Sequence, residues 1–243
     1  MREMVRQGNS DMARSAIVFG SRLSPFVEKV VRALAMKGIG FRLVEPRGPG
    51  DFGKWNPQTR KMPALELDGE RMYDSTFIVR RLDAIVPEPA LVASDPRVSA
   101  AQRQLEDWAD ESLYWYGMAL RWCTRNKAAT ARQILGALPA PLRAIASVIL
   151  PRQIRASTMA QGLGRLPHDV LVRELGGHLD DLMAILDRRP FFFGDRASVA
   201  DLAVYGQFCM LRSGPTPEAE ALLRQRKGLL DHMHRVEEVA AVS

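Results

Sequence analysis

The chain has 243 residues, of which 47% are hydrophobic and 26% charged, enough apolar surface for one large or two modest cores and far from a disordered or fibrous composition. Two cysteines, Cys123 and Cys209, with no CxxC, leave neither a disulfide framework nor a zinc site to read and suit a reducing compartment. The net charge of +6 is uneven: Ser112 through His168 contains eight Arg and Lys residues and no Asp or Glu, leaving −2 for the rest. Such a field suits an anionic small molecule, a membrane surface or nucleic acid, or is only a solvated helix face; nucleic acid is disfavoured because no recognition motif accompanies the basic residues.

In chain order, residues 1–14 are polar with no apolar run and read as a flexible leader, not a signal peptide or anchor. SAIVFG from Ser15 is a short apolar strand. In SPFVEKVVRALAMKG, Phe26, Val30, Val31, Leu34 and Met36 recur at helical spacing, Ser24-Pro25 is a helix-start signature, and Gly38 and Gly40 end the helix. FRLVEP gives a second strand, parallel to the first across the helical crossover. A Gly- and Pro-rich loop follows, and then two apolar runs flank Asp68-Gly69, a strong hairpin signal. STFIVRRLDAIVP closes an α/β unit ordered β-α-β-loop-β-β-α over residues 15–87. Residues 88–96, EPALVASDP, read as a linker. From Arg97 onward the pattern is helical, punctuated by Pro139, Pro141, Pro151, Pro167 and Pro190, so residues 97–243 should form an all-α bundle of five or more helices.

Taken alone, Ser24 is a helix cap, Met62-Pro63 a loop leading into a strand, and Asp74-Ser75 the start of a helix that Ser75 can cap. ASVAD at Ala197–Asp201 fits a capping box, with Ser198 capping and Asp201 reaching back. Tyr114, Trp115, Tyr116, Met118 and Trp122 crowd one helix, where an aromatic cluster is more often core than pocket. His168, His178, His232 and His234 show no metal pattern, and no metal is expected.

GSRLSPFVEKVVRALAMKGI, NPQTRKMPALELDG, MYDSTFIVRRL and FFFGDRASVADLAVYGQF resemble, in order and spacing, the glutathione S-transferase superfamily. The long basic middle of the helical half is further similar to a branch that includes metaxin-like and bacterial members. The resemblance implies a thioredoxin-like domain (β-α-β-α-β-β-α) followed by an all-helical domain, glutathione as co-substrate, a cytoplasmic homodimer, and transfer of glutathione to a small hydrophobic electrophile. It also implies a cis Met62-Pro63 bond whose preceding backbone pairs with the tripeptide, and an Asp74-Ser75 grip on its γ-glutamyl end. Three thiol-activating devices occur in the family, a strand tyrosine, a helix-start serine or a helix-start cysteine. Phe19 lacks a hydroxyl and no cysteine stands at the helix start, so Ser24 is the expected activator and Ser21 its runner-up. By position, Phe26 and Lys61 join the glutathione contacts, with Lys54 or Trp55 nearby, and Tyr116 and Arg121 are candidates for the second-substrate pocket. Two other readings remain: a different glutathione chemistry (lyase, etherase or isomerase), and a non-catalytic module at a protein or membrane partner. Membrane contact is permitted by the basic segment but not favoured.

Overall fold

The computed structural model describes residues 15–136 and 138–242; the expected leader, 1–14, lies outside them. The elements run β1 (Ser15–Phe19), α1 (Pro25–Met36), β2 (Gly40–Val44), α2 (Pro49–Trp55), β3 (Ala64–Leu67), β4 (Glu70–Tyr73) and α3 (Ser75–Ile85). Helices follow: α4 (Pro96–Trp108), a π-helical turn (Ala109–Leu113), α5 (Tyr114–Trp122), α6 (Lys127–Leu135), α7 (Ala140–Gln161), α8 (His168–Leu186), α9 (Val199–Arg212), α10 (Pro217–Arg224) and α11 (Lys227–Val239). This is the thioredoxin-like arrangement followed by an all-helical one. The loop between β2 and β3 carries α2, whose Gly- and Pro-rich sequence hides it from periodicity.

The sheet order is β2-β1-β3-β4, with β1 parallel to β2 and antiparallel to β3. The hairpin signal is realised: Leu67 faces Glu70 across Asp68 (φ 52°) and Gly69 (φ 81°), the two left-handed residues that match the twist of paired strands. Val18, Val30, Val31, Leu34, Leu65 and Ile78 fill the core between sheet and helices. The β-branched residues stand on β1 or on the buried stripes of α1 and α3, where they exclude water without a rotamer penalty larger than the burial gain.

Residues 88–96 are pinned to the body at Leu91, with Glu88, Pro89, Ala90, Ser94, Asp95 and Pro96 exposed on either side. Leu91 is buried, donates its N–H to Asp83 Oδ1 (2.9 Å) and accepts from Val199 N (2.9 Å), while Lys37 Nζ reaches Pro89 O at 2.5 Å. In the helical half the capping box forms as expected, with Ser198 N–H donating to Asp201 Oδ2 at 2.8 Å. The buried Asp201 also accepts from Phe192 N and pairs with His232 Nε2 at 2.8 Å. Pro151 is a correction: it lies inside α7 and does not break it. A second correction concerns α3, whose cap is Asp74, accepting from Thr76 N at 3.0 Å, with Ser75 as the first helical residue.

Candidate functional site

Strand register gathers the motif residues. Phe19, the last residue of β1, faces Ala64, the first of β3, and Ala64 faces Tyr73, the last of β4. The segments that continue from these three positions therefore leave the same end of the sheet side by side: Gly20 to Ser24, Met62-Pro63, and Asp74-Ser75. A Cβ built on Gly20 would stand 3.5 Å from Met62 Cβ, so the first two segments touch.

Ser24 is the N-cap of α1 in extended conformation, only 7% exposed, yet its hydroxyl makes no capping bond. Its carbonyl accepts from Val27 N and Glu28 N at 3.1 Å, so the backbone holds the residue while the side chain remains uncommitted. Ser21, by contrast, is engaged: its Oγ donates to Glu45 Oε1 and accepts from Leu23 N, both at 3.4 Å. α9 fixes the start of α1 from behind. Gly206 packs against Pro25, where any Cβ would be driven into the Pro25 carbonyl.

The Met62-Pro63 bond is cis, and among the described residues no hydrogen bond is made by the Met62 backbone. Asn56, buried and missed in the sequence, sets up this corner: its Nδ2 donates to Thr59 Oγ1 (2.6 Å) and Lys61 O (3.2 Å), and its Oδ1 accepts from Gln58 N and Thr59 N. The Asn-Pro dipeptide was the available signal for such a turn. Lys61 is exposed and its ammonium has no ion-pair partner among the described residues. Lys54 projects to solvent beside Asp51 (3.6 Å), and Trp55 is buried against the ring of Phe19 (5.5 Å) at the end of β1.

Asp74 has φ 67°, a left-handed conformation for a non-glycine residue, held at the tip of α3 by its own carboxylate. Ser75 is buried. Thr76 extends the tip into a network: Lys29 Nζ, wholly buried in α1, donates to Thr76 Oγ1 (3.0 Å) and Asp110 Oδ2 (2.6 Å) and pairs with Glu106 (2.6 Å). Burial pushes the Asp110 carboxyl above its ordinary pKa, against the lowering pull of Lys29.

Of the two pocket candidates from the sequence, Arg121 lies within electrostatic reach of Tyr114, and Tyr116 packs on α8. Arg121 is buried with its guanidinium donating to Met210 O (2.5 Å) and Ser213 Oγ, and burial lowers its pKa to about 10. Tyr116 packs on His178 of α8, centroids 4.9 Å apart. The aromatic that does face α1 is Tyr114, two residues earlier and so on the opposite side of the helix; its ring lies 5.0 Å from that of Phe26. Burial raises its phenol to about 12, and no hydrogen bond is made by its hydroxyl among the described residues. Phe26, in the first turn of α1 that Ser24 precedes, thus carries the contact with Tyr114.

Comparison with known proteins agrees with this arrangement. Residues 18–90 match the family model of the glutathione S-transferase N-terminal domain. The chain is 24% identical to the isoprene-epoxide–glutathione S-transferase of Rhodococcus sp. (strain AD45), over 88% of this chain and 91% of that protein. It is 30% identical to glutathione transferase GST 23 of Zea mays over 51% of this chain and 60% of that one. Among solved structures it resembles the beta-etherase LigF of Sphingobium sp. strain SYK-6, with TM-score 0.67, 22% identity, and coverage of 91% and 94% of the two chains. Residues 18–90 thus match a glutathione S-transferase N-terminal domain, and the chain is similar along most of its length to a glutathione S-transferase and shares the two-part fold.

Proposed function

We propose that the protein is a glutathione transferase in which Ser24 activates the glutathione thiol for attack on a small hydrophobic electrophile. The observation that carries the reading is the Ser24 hydroxyl, on a nearly buried residue at the tip of α1 and without a hydrogen-bond partner among the described residues. It would donate to the sulfur and, with the free N–H groups of the first turn of α1, favour the thiolate.

The neighbouring residues fit the rest of the tripeptide. Met62 offers an unpaired N–H and C=O for strand-like pairing, beside Pro63 and Phe26. Asp74 and Ser75 address the γ-glutamyl ammonium and carboxylate, and Lys61 a terminal carboxylate. In this division of labour residues 15–87 bind glutathione and residues 97–243 supply the second substrate's wall, with Tyr114 taking the role expected of Tyr116 and Arg121.

Opening of an epoxide is the favoured reaction, since a phenol held neutral by burial can donate to the oxygen as the sulfur–carbon bond forms and the carbon–oxygen bond breaks. The name of the Rhodococcus relative points the same way. Ether cleavage, named for the Sphingobium structure, uses the same thiolate. A homodimer in the cytoplasm completes the proposal. Phe77, 64% exposed on α3 with Arg80 over its ring at 5.8 Å, is the contact we assign to the partner subunit.

Retention on immobilised glutathione, followed by a conjugation assay with a small vinyl epoxide and an aryl ether, tests the reading. Retention with turnover of the epoxide supports it. Turnover of the ether alone would replace epoxide opening by ether cleavage, and failure to bind glutathione would leave a non-catalytic module.

A further inference from the structure

We propose that the first three turns of α7 form a peripheral anchor that lies on an anionic lipid bilayer. From Ala140 to Ile149 every residue but Ala146 is exposed, so this stretch stands out from the body, whereas Pro151 and Thr158 seat the second half of the helix. Four large aliphatic side chains face solvent here: Leu142 (48% exposed), Ile145 (60%), Val148 (51%) and Ile149 (49%). Leu142, Ile145 and Ile149 recur at i, i+3 and i+7 and form one stripe, with Val148 beside it and Arg152 continuing it one turn further. Scattered exposed aliphatics are ordinary; four within eight residues of one exposed helical stretch are a surface that water disfavours.

Charge decides the occupant. None of the eight basic residues between Ser112 and His168 forms an ion pair with a carboxylate among the described residues, since each salt bridge of the helical half joins side chains outside that set. Arg143 and Arg152 donate to the backbone carbonyls of Gly136 (3.4 Å) and Val148 (3.1 Å), which leaves their charge uncompensated. An apolar stripe rimmed by unneutralised arginines is the pattern of a helix resting in a headgroup layer, its aliphatics among the acyl chains and its arginines on lipid phosphates. The exposure continues around the whole of the helix, wider than the single seam that a groove on a folded partner would cover. No described helix is long and apolar enough to cross a membrane, so α7 lies on the surface. This inference does not rest on glutathione chemistry.

Co-sedimentation of the full chain with large phosphatidylcholine vesicles, with and without about 30 mol % phosphatidylserine, tests it. The chain should pellet with the anionic vesicles, weakly with the neutral ones, and lose most of its binding at about 0.5 M salt. Ile145→Ser with Ile149→Ser should lower the partition coefficient at least about tenfold, and Arg152→Gln about fivefold, with unfolding midpoints unchanged because the sites are exposed. Equal binding to both vesicles, no binding, or full binding by the double variant would overturn the anchor. So would sedimentation velocity showing, without lipid, an oligomer that the double variant dissolves, because α7 would then be a contact between copies of the chain.

Discussion

Lys29 Nζ, wholly buried in α1, lies 2.6 Å from Asp110 Oδ2 in the π-helical turn, and this one contact joins the helix that starts at Ser24 to the helical half beside Tyr114. Glu106 shares the same ammonium and Thr76 completes the network at the tip of α3. A π-turn adds a residue to the helical repeat, and here it turns Asp110 inward.

Removing the cation leaves two buried carboxylates uncompensated. Lys29→Met should therefore lower the unfolding free energy by about 3–5 kcal/mol in urea melts at neutral pH. Burial already raises the Asp110 pKa, so the native state holds that proton more tightly than the unfolded chain, and losing Lys29 raises it further. A carboxyl with a raised native pKa destabilises as pH climbs through that value, so the variant's deficit should shrink on acidification towards about pH 5. A deficit independent of pH would show that Asp110 is not the group responsible.

For Ser24→Ala, thiolate absorbance of bound glutathione should titrate about one to two pH units higher, which at neutral pH leaves about threefold to thirtyfold less thiolate if the wild-type thiol titrates near neutrality, with a matching fall in kcat. The glutathione KM should change by less than about threefold. Normal turnover would transfer the role to Ser21.

Asp74→Ala acts on binding instead. It removes the carboxylate from the grip and the cap from Thr76 N, and the calorimetric Kd for glutathione should rise about tenfold or more. An unchanged Kd removes Asp74 from the site.

Tyr114→Phe should cut kcat with an epoxide by about tenfold to hundredfold while leaving the glutathione Kd within about twofold. Because burial holds the phenol near 12, it stays a donor at about pH 10.5, where an ordinary tyrosine would be mostly ionised. The near-ultraviolet phenolate signal at that pH should consequently be the same in the wild type and the variant; a smaller signal in the variant would mean that Tyr114 titrates normally.

Most of the element order, α2 excepted, is legible in the amino-acid pattern, because period-2 and helical spacings, Asp68-Gly69 and Ser24-Pro25 are local signals set by backbone sterics and neighbouring residues. That pattern also pointed to Ser24, Met62-Pro63 and Asp74-Ser75 through resemblance. What each hydroxyl and ring does is set by long-range packing. Whether Ser24 Oγ caps or stays uncommitted depends on partners, and whether Tyr114 or Tyr116 faces α1 depends on a helical phase shifted by the π-turn. The Lys29 network joins residues 47 and 81 positions apart, a distance over which spacing carries no information, and the exposure of α7 reflects which elements fail to cover it.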